Sequence, residues 1–218
     1  MQLNVKWVAW ACGITLLFNA CSQNSGKTET ATTTETEDHS GMDMAAGESN
    51  KMMDLMHENM TEMQGMKMTG DVDHDFAMMM ATHHEGALTM AQEEAENGQD
   101  TMLVNMAKKS ITKQKEEQDK LRKFADSHQP AAADTAASMK LMQPMKTMMG
   151  NMDHNMKGTT DHHFASLMSM HHQSGIDMAK AYLPNAKVPE IKAMAQKIMD
   201  EQQKEKQMLD TWLQEHPQ

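Results

Sequence analysis

Asp73-His74-Asp75-Phe76-Ala77-Met78-Met79-Met80-Ala81-Thr82-His83-His84 returns 88 residues later as Asp161-His162-His163-Phe164-Ala165-Ser166-Leu167-Met168-Ser169-Met170-His171-His172. The same offset continues without a gap. It pairs Met90-Ala91 with Met178-Ala179, Met106-Ala107 with Met194-Ala195, Gln114 with Gln202, Glu117 with Glu205, Leu121 with Leu209 and Phe124 with Trp212. One offset held over so long a stretch marks an internal duplication. Each copy reads as a helical hairpin. The first helix is expected to begin near Asp73, or Asp161, as N-cap. It stops at Asn97-Gly98 in the first copy and near Tyr182, before Pro184, in the second. The second helix runs from about Asp100 to Ser127 and from about Pro189 to Glu215, with Pro189 suited to a first helical turn. Two such hairpins predict an all-α fold, a four-helix bundle built from duplicated hairpins.

Outside the hairpins the chain is unusual for its sulfur. Of 218 residues, 29 are Met and 12 are His, against four Phe and one Tyr. Met53, Met56, Met60 and Met63 step at helical spacing, as do Met142, Met145, Met149, Met152 and Met156, so additional short Met-rich helices precede each hairpin. Pro144 and the glycines at 65, 70, 150 and 158 keep these helices short. A stripe at this spacing is ordinarily an apolar face, and Leu would serve. Between 42 and 68, however, nine Met accompany a single Leu. Thioether sulfur is a soft donor that selects Cu(I) and, by the same softness, Ag(I), and it has no proton to lose on binding. A flexible, Met-rich surface that grips a partner protein is the competing explanation.

The hairpins carry the second chemical signal. Met80 lies three and four residues before His83 and His84, and Met168 stands in the same relation to His171 and His172. Those spacings share a helical face. Phe76, His83 and Met90 recur by sevens, which turns His83 toward the bundle interior. On the second helices Gln114 and Glu117, and Gln202 and Glu205, interrupt an otherwise apolar seam. Burying them unpaired would cost about 1–3 kcal/mol each. In an antiparallel hairpin residues equidistant from the turn are level, so Gln114 pairs with the level of His83-His84 and Gln202 with that of His171-His172. Each copy is therefore expected to build one polar layer of two His, Gln and Glu, roofed by Met. The Gln and Glu either form a structural hydrogen-bond network or orient the imidazoles toward a metal. The candidate metal ligands are Met80, His83, His84, Met90, Met168, His171, His172 and Met178 in the hairpins. In the Met-rich segments they are Met53, Met56, Met60, Met63, Met142, Met145, Met149 and Met152, with His57 and His154 as nearby donors. His74, His162 and His163 read as capping or surface residues, and His39, His128 and His216 as tail or linker residues. A di-iron oxidase needs Glu-x-x-His motifs at core positions. None occurs there, and the inward carboxylates are only Glu117 and Glu205. No catalytic residues are expected.

The start of the chain resembles an export signal, with Lys6 followed by an apolar run from Trp7 to Phe18. Leu17-Phe18-Asn19-Ala20-Cys21 resembles a lipobox, which makes Cys21 the lipidated residue, although Phe18 departs from the usual Leu. A soluble secreted form or an uncleaved anchor are the alternatives. Removing Cys12 and lipidating Cys21 leaves no thiol, in keeping with an oxidising compartment. A net charge of −11 argues against nucleic acid and suits cations. The resulting division is 1–20 signal, 21–50 Thr-rich acidic tether, 51–69 Met-rich helix, 70–127 first hairpin, 128–158 linker and Met-rich segment, and 159–218 second hairpin. The expected setting is the bacterial cell envelope, facing the periplasm or the surface, with the membrane reached through the lipid anchor. Partners are a metal ion and a copper-handling protein.

At Asp73-x-x-Phe76, His83-His84-x-Gly86-Ala87-x-x-Met90-Ala91 and Gln114-x-x-Glu117, and again at Asp161-x-x-Phe164, His171-His172-x-Ser174-Gly175-x-x-Met178-Ala179 and Gln202-x-x-Glu205, the chain resembles the domain-of-unknown-function 305 family. The resemblance covers about 70 to 216. It implies a ferritin-like four-helix domain, an exported location and periplasmic copper binding linked to copper resistance, with copper as Cu(I) and Ag(I) or Cu(II) as alternatives. It implies no catalysis. Glu85 against Gln173, and Gly86 against Ser174, suggest that the two halves are not equivalent sites.

Overall fold

The computed structural model describes residues 47–131 and 135–217, all within one compact unit spanning Asp43–Gln218. The expected signal, the expected lipidation site Cys21 and most of the expected tether lie outside the described residues; residues 47–50, assigned to the tether, open a helix instead. Every regular element among the described residues is helical: α1 Gly47–Gly65, α2 Val72–Asn97, α3 Thr101–Ser127, α4 Thr135–Lys140, α5 Gln143–Asn151, α6 Thr160–Tyr182 and α7 Pro189–Glu215, with a 3₁₀ turn at Leu183–Asn185 between the last two. No described helix is long and apolar enough to cross a membrane.

The four long helices form the bundle. Helices α2 and α6 are buried nearly all round, because their sequences carry Ala, Met, Phe and Gly on every face. They pack on each other at the centre. Helix α3 lies along α2 and α7 along α6. The outer pair meets through long polar side chains: Lys197 Nζ donates to Glu117 Oε1 at 2.6 Å, and Lys113 Nζ pairs with Glu201 at 3.1 Å. The Met-rich helices add a covering layer. Helix α1 packs on both α2 and α6, and α5 packs on α6. Asn59 fixes the first of these contacts, donating from Nδ2 to the Thr82 carbonyl at 2.7 Å. Gly86 makes the approach feasible, since a Cβ there would stand 2.5 Å from Asn59 Oδ1.

The helix starts differ from expectation in an informative way. Asp71 is the N-cap of α2, accepting from the Asp73 and His74 amides, and Thr159 is the N-cap of α6. Asp73 and Asp161 are two residues further in and buried, and each reaches across to the other repeat. Asp73 Oδ1 accepts from the amides of Lys187 at 3.0 Å and Val188 at 3.1 Å, and from the Tyr182 hydroxyl. Asp161 Oδ1 accepts from the amides of Gln99 at 2.9 Å and Asp100 at 2.7 Å. These are equivalent positions, one repeat apart. The start of each central helix thus clasps the turn of the opposite hairpin. That arrangement sets α2 and α6 antiparallel, related by a pseudo-two-fold axis. It also satisfies orphan amides at the start of α7, whose N-cap Val188 has no side chain to do so.

The equivalence holds one step further. Tyr182 and Glu94 occupy matching positions, and Glu94 lies beside Asp161 as Tyr182 lies beside Asp73. Glu94 is fully buried. Burial, reinforced by the negative charges of Asp161, Asp100 and Glu93, pushes its carboxyl up to about 9. At neutral pH Glu94 is therefore the protonated acid, and it can donate to Asp161 the hydrogen bond that the Tyr182 hydroxyl donates to Asp73.

Candidate functional site

The antiparallel crossing of α2 and α6 brings the two His-His pairs together. The rings of His83 and His171 stack with centroids 3.7 Å apart and planes inclined by 27°. They are equivalent residues meeting on the pseudo-two-fold axis. The sequence led us to expect one polar layer in each copy. The structure corrects this: the two layers fuse into one, because the central helices cross at these residues.

Two of the four rings are held by carboxylates on the outer helices. His84 Nε2 lies 3.1 Å from Glu117 Oε2, and His172 Nε2 lies 3.1 Å from Glu205 Oε2. Burial works to raise both carboxyls. The hydrogen bonds from His84 and Lys197 nevertheless hold Glu117 down at about 2, and His172 with Lys113 keeps Glu205 below its ordinary value. Both glutamates are thus ionised acceptors, and each fixes Nε2 of its histidine as the protonated nitrogen. His83 Nε2 faces the His171 carbonyl at 3.1 Å and Ser174 Oγ at 2.9 Å. A carbonyl only accepts, so this nitrogen also carries the proton. Burial drives His83 and His171 well below the ordinary imidazole range, and neighbouring imidazoles add to the effect. Both rings are neutral.

His83 Nδ1, across the ring from the committed N–H, therefore presents a free lone pair. The Nδ1 atoms of His83, His84, His171 and His172 are buried without a hydrogen-bond partner, and so is His171 Nε2. The amide oxygens of Gln114 and Gln202 are in the same condition, as is Gln202 Nε2. Gln114 and Gln202 are buried on the second helices but make no hydrogen bond to the imidazoles among the described residues.

The halves differ where their sequences do. Ser174 ties down His83, whereas its equivalent is Gly86, which gives its space to Asn59 of α1. His171 consequently lacks the partner that His83 has. Gly175 is needed for the layer itself, since a Cβ there would stand 2.2 Å from Gln202 Oε1 and 2.8 Å from His83 Cε1. Gly175→Ala is expected to lower stability by about 1–3 kcal/mol through overpacking. Gly150→Ala in α5 meets nothing within 4 Å and is expected to be neutral or stabilising by about 0.5–1 kcal/mol. Thermal melts of the two variants side by side check this.

The candidate thioethers are mostly interior. Met80, Met90, Met168 and Met178 are buried in the central helices. Met56, Met60, Met63, Met142, Met145 and Met152 are buried in the same apolar core, and Met53 and Met149 pack partly buried against it. The stripes also recruit Met52 and Met148, which the spacing did not single out. His57 and His154 stack at 5.3 Å between centroids, joining α1 to the segment after α5. His163, expected at the surface or in a capping role, is buried at the start of α6, and burial lowers its ring below the ordinary imidazole range. Among the described residues no three His, Cys, Asp or Glu side chains converge as a metal set.

The fold is an all-helical bundle of two repeated hairpins. The sequence profile described as "Domain of unknown function (DUF305)" matches residues 17–125 and 123–213, one match for each repeat, and the chain belongs to that family. No curated protein and no solved structure matches the chain.

Proposed function

We propose that this protein is an exported, lipid-anchored envelope protein that binds copper as Cu(I), or Ag(I) by the same softness, and buffers it or hands it on to a copper-handling partner. The observation that carries the reading is the buried layer of four histidines whose Nδ1 atoms have no partner. Buried polar atoms are ordinarily satisfied, so five orphaned imidazole nitrogens in one layer call for an explanation. The donor set fits the cargo. Two of the imidazoles are held neutral, which a metal requires. Glu117 and Glu205 hold the far nitrogens of His84 and His172, as carboxylates do behind metal-ligating histidines. Met80 and Met168 lie one helical turn before the His pairs, so thioether sulfur can complete a set that His, Cys, Asp and Glu do not complete alone. The two inward glutamates are committed to His and Lys contacts, which supports a carrier and not an oxidase.

One observation favours a second reading. The Met stripes are largely buried, so α1 and α5 also work as apolar covering for a structural or partner-binding module, with the His layer as scaffolding.

Anaerobic Cu(I) titration of the mature chain against a competing chelator separates the two. Changing Met56, Met60, Met63, Met142, Met145 and Met152 together to Leu conserves volume and should preserve the helical fold. Loss of most bound Cu(I) in that variant is the expected result. Unchanged stoichiometry would show that these sulfurs are packing atoms alone.

A further inference from the structure

The segment after α5 and the end of α7 enclose a cleft of about 500 Å³ whose lining includes Met156, Met170, His162, His216, Asp153 and Lys157. None of these residues belongs to the ligand set considered above. His216 read in the sequence as a tail residue, yet three contacts fix it. Its ring stacks on Trp212 at 4.3 Å and 16°. Its Nδ1 lies 2.8 Å from the Trp212 carbonyl, and its own carbonyl oxygen lies 3.0 Å from His162 Nε2. The Trp212 carbonyl can only accept, so Nδ1 carries the proton and Nε2 keeps the lone pair. A histidine whose other N–H is committed to a backbone carbonyl is the arrangement found behind metal-bound imidazoles. His162 is different. Its Nε2 is spent on the His216 carbonyl and its Nδ1 faces Thr159 Oγ1 at 3.0 Å, so it positions His216 and is not itself a donor.

Two half-buried thioethers, Met156 and Met170, line the same cleft. A second surface cleft, of about 130 Å³, adjoins it, shares Met170 and Asn151 with it, and is lined further by Met148 and Ser174. Ser174 is the residue whose hydroxyl contacts His83. Met170 thus lines both clefts, and Met148 lines the one that also reaches Ser174.

We propose that Met156, Met170 and His216 form a surface capture site for a soft monovalent cation, Cu(I) or Ag(I), which then passes by way of Met170 and Met148 to the His83 side of the buried layer. The capture site stands on its own geometry, whereas the inward passage rests on the function proposed above. Each step is a ligand exchange: an incoming thioether or imidazole lone pair replaces an outgoing one, the cation keeps its charge, and no proton or electron moves.

The test uses the full mature chain with methyl-labelled methionine and Ag(I) as the probe. At substoichiometric Ag(I) the methyl signals of Met156 and Met170 and the ring proton of His216 should shift before those of Met80 and Met168. A Met156→Leu, Met170→Leu, His216→Gln variant should bind the first Ag(I) about 10- to 100-fold more weakly and load the buried layer more slowly. If that variant fails to fold, the order of shifts in the unaltered protein still decides. Binding elsewhere with these three signals unmoved overturns the proposal, leaves His216 as a helix C-cap, and spares the buried layer as a metal site. Absence of any Ag(I)-dependent shift overturns both.

Discussion

Replacing Asp73 with alanine is expected to lower the unfolding free energy by about 3–5 kcal/mol, the largest effect of any single polar substitution in the bundle. One oxygen of this buried carboxylate accepts from the Lys187 and Val188 amides and from the Tyr182 hydroxyl. Hydrogen bonds to a charged group are each worth about 1.5–3 kcal/mol, and removing the acceptor strands the donors in the interior. The loss falls on the contact between repeats, so the second hairpin should loosen from the first. Urea unfolding measures the loss. Amide hydrogen exchange at Lys187 and Val188 locates it, since both amides should lose protection. A change under about 1 kcal/mol would mean that water replaces the carboxylate at this turn. A double-mutant cycle with Tyr182→Phe isolates the hydroxyl, because that substitution leaves the two amide bonds intact.

The contribution of Glu94 to stability should fall as pH rises from mildly acidic values toward 9, opposite in sign to that of the buried neutral histidines. The native state holds a proton on Glu94 up to about pH 9, while the unfolded chain releases it near the ordinary glutamate value. Between those limits the native state binds more protons at Glu94 than the unfolded state does, so this group's contribution to stability decreases with increasing pH. It is greatest below the ordinary value and levels off once pH exceeds the native one. Each pH unit over which only the native state keeps the proton is worth about 1.4 kcal/mol, and relaxation around an alkaline carboxylate pair reduces the total to about 2–3 kcal/mol. Glu94→Gln keeps a donor for Asp161 and removes this titration while leaving the buried imidazoles in place, so the variant should gain on the parent as pH rises and exceed its stability at pH 8. Urea midpoints at pH 5 and pH 8 for both proteins make the comparison. A parent–variant difference that is the same at both values would show that Glu94 is ionised in the folded state.

The hairpins were legible in the sequence because their signals are local. Helical periodicity, Asn97-Gly98, Pro189 and the offset of 88 all act within one hairpin or copy the pattern of the first onto the second. The layer of His, Gln and Glu expected at that level does join Glu117 to His84 and Glu205 to His172, but Gln114 and Gln202, the residues levelled about the turn, make no hydrogen bond to the imidazoles. The same rule had nothing to say about contacts between repeats, and so the stacking of His83 on His171 was missed. The angle and height at which α2 crosses α6 decide that contact, and no spacing within either helix encodes them. Asp73 was misread for a related reason. Asp71, Asp73 and Asp75 are all acids near a helix start, and nothing local tells which one caps. In the fold Asp71 caps, Asp75 accepts from the Thr69 and Gly70 amides, and Asp73 crosses to the other repeat. His216 was hidden because a histidine near a helix end is usually solvent-facing. The neighbouring Trp212, four residues earlier, was the available hint.

The face-to-face meeting of His83 with its own counterpart has a consequence for descent. Contact between identical positions is the hallmark of an isologous homodimer interface. A half-length ancestor carrying one hairpin would have joined to a second copy of itself through this very residue. In such a dimer every substitution would have to be accepted on both sides at once. Tandem fusion removed that constraint. Serine could then arise opposite glycine at 174 and 86, and tyrosine opposite glutamate at 182 and 94, giving one half a tethered imidazole and the other an untethered one.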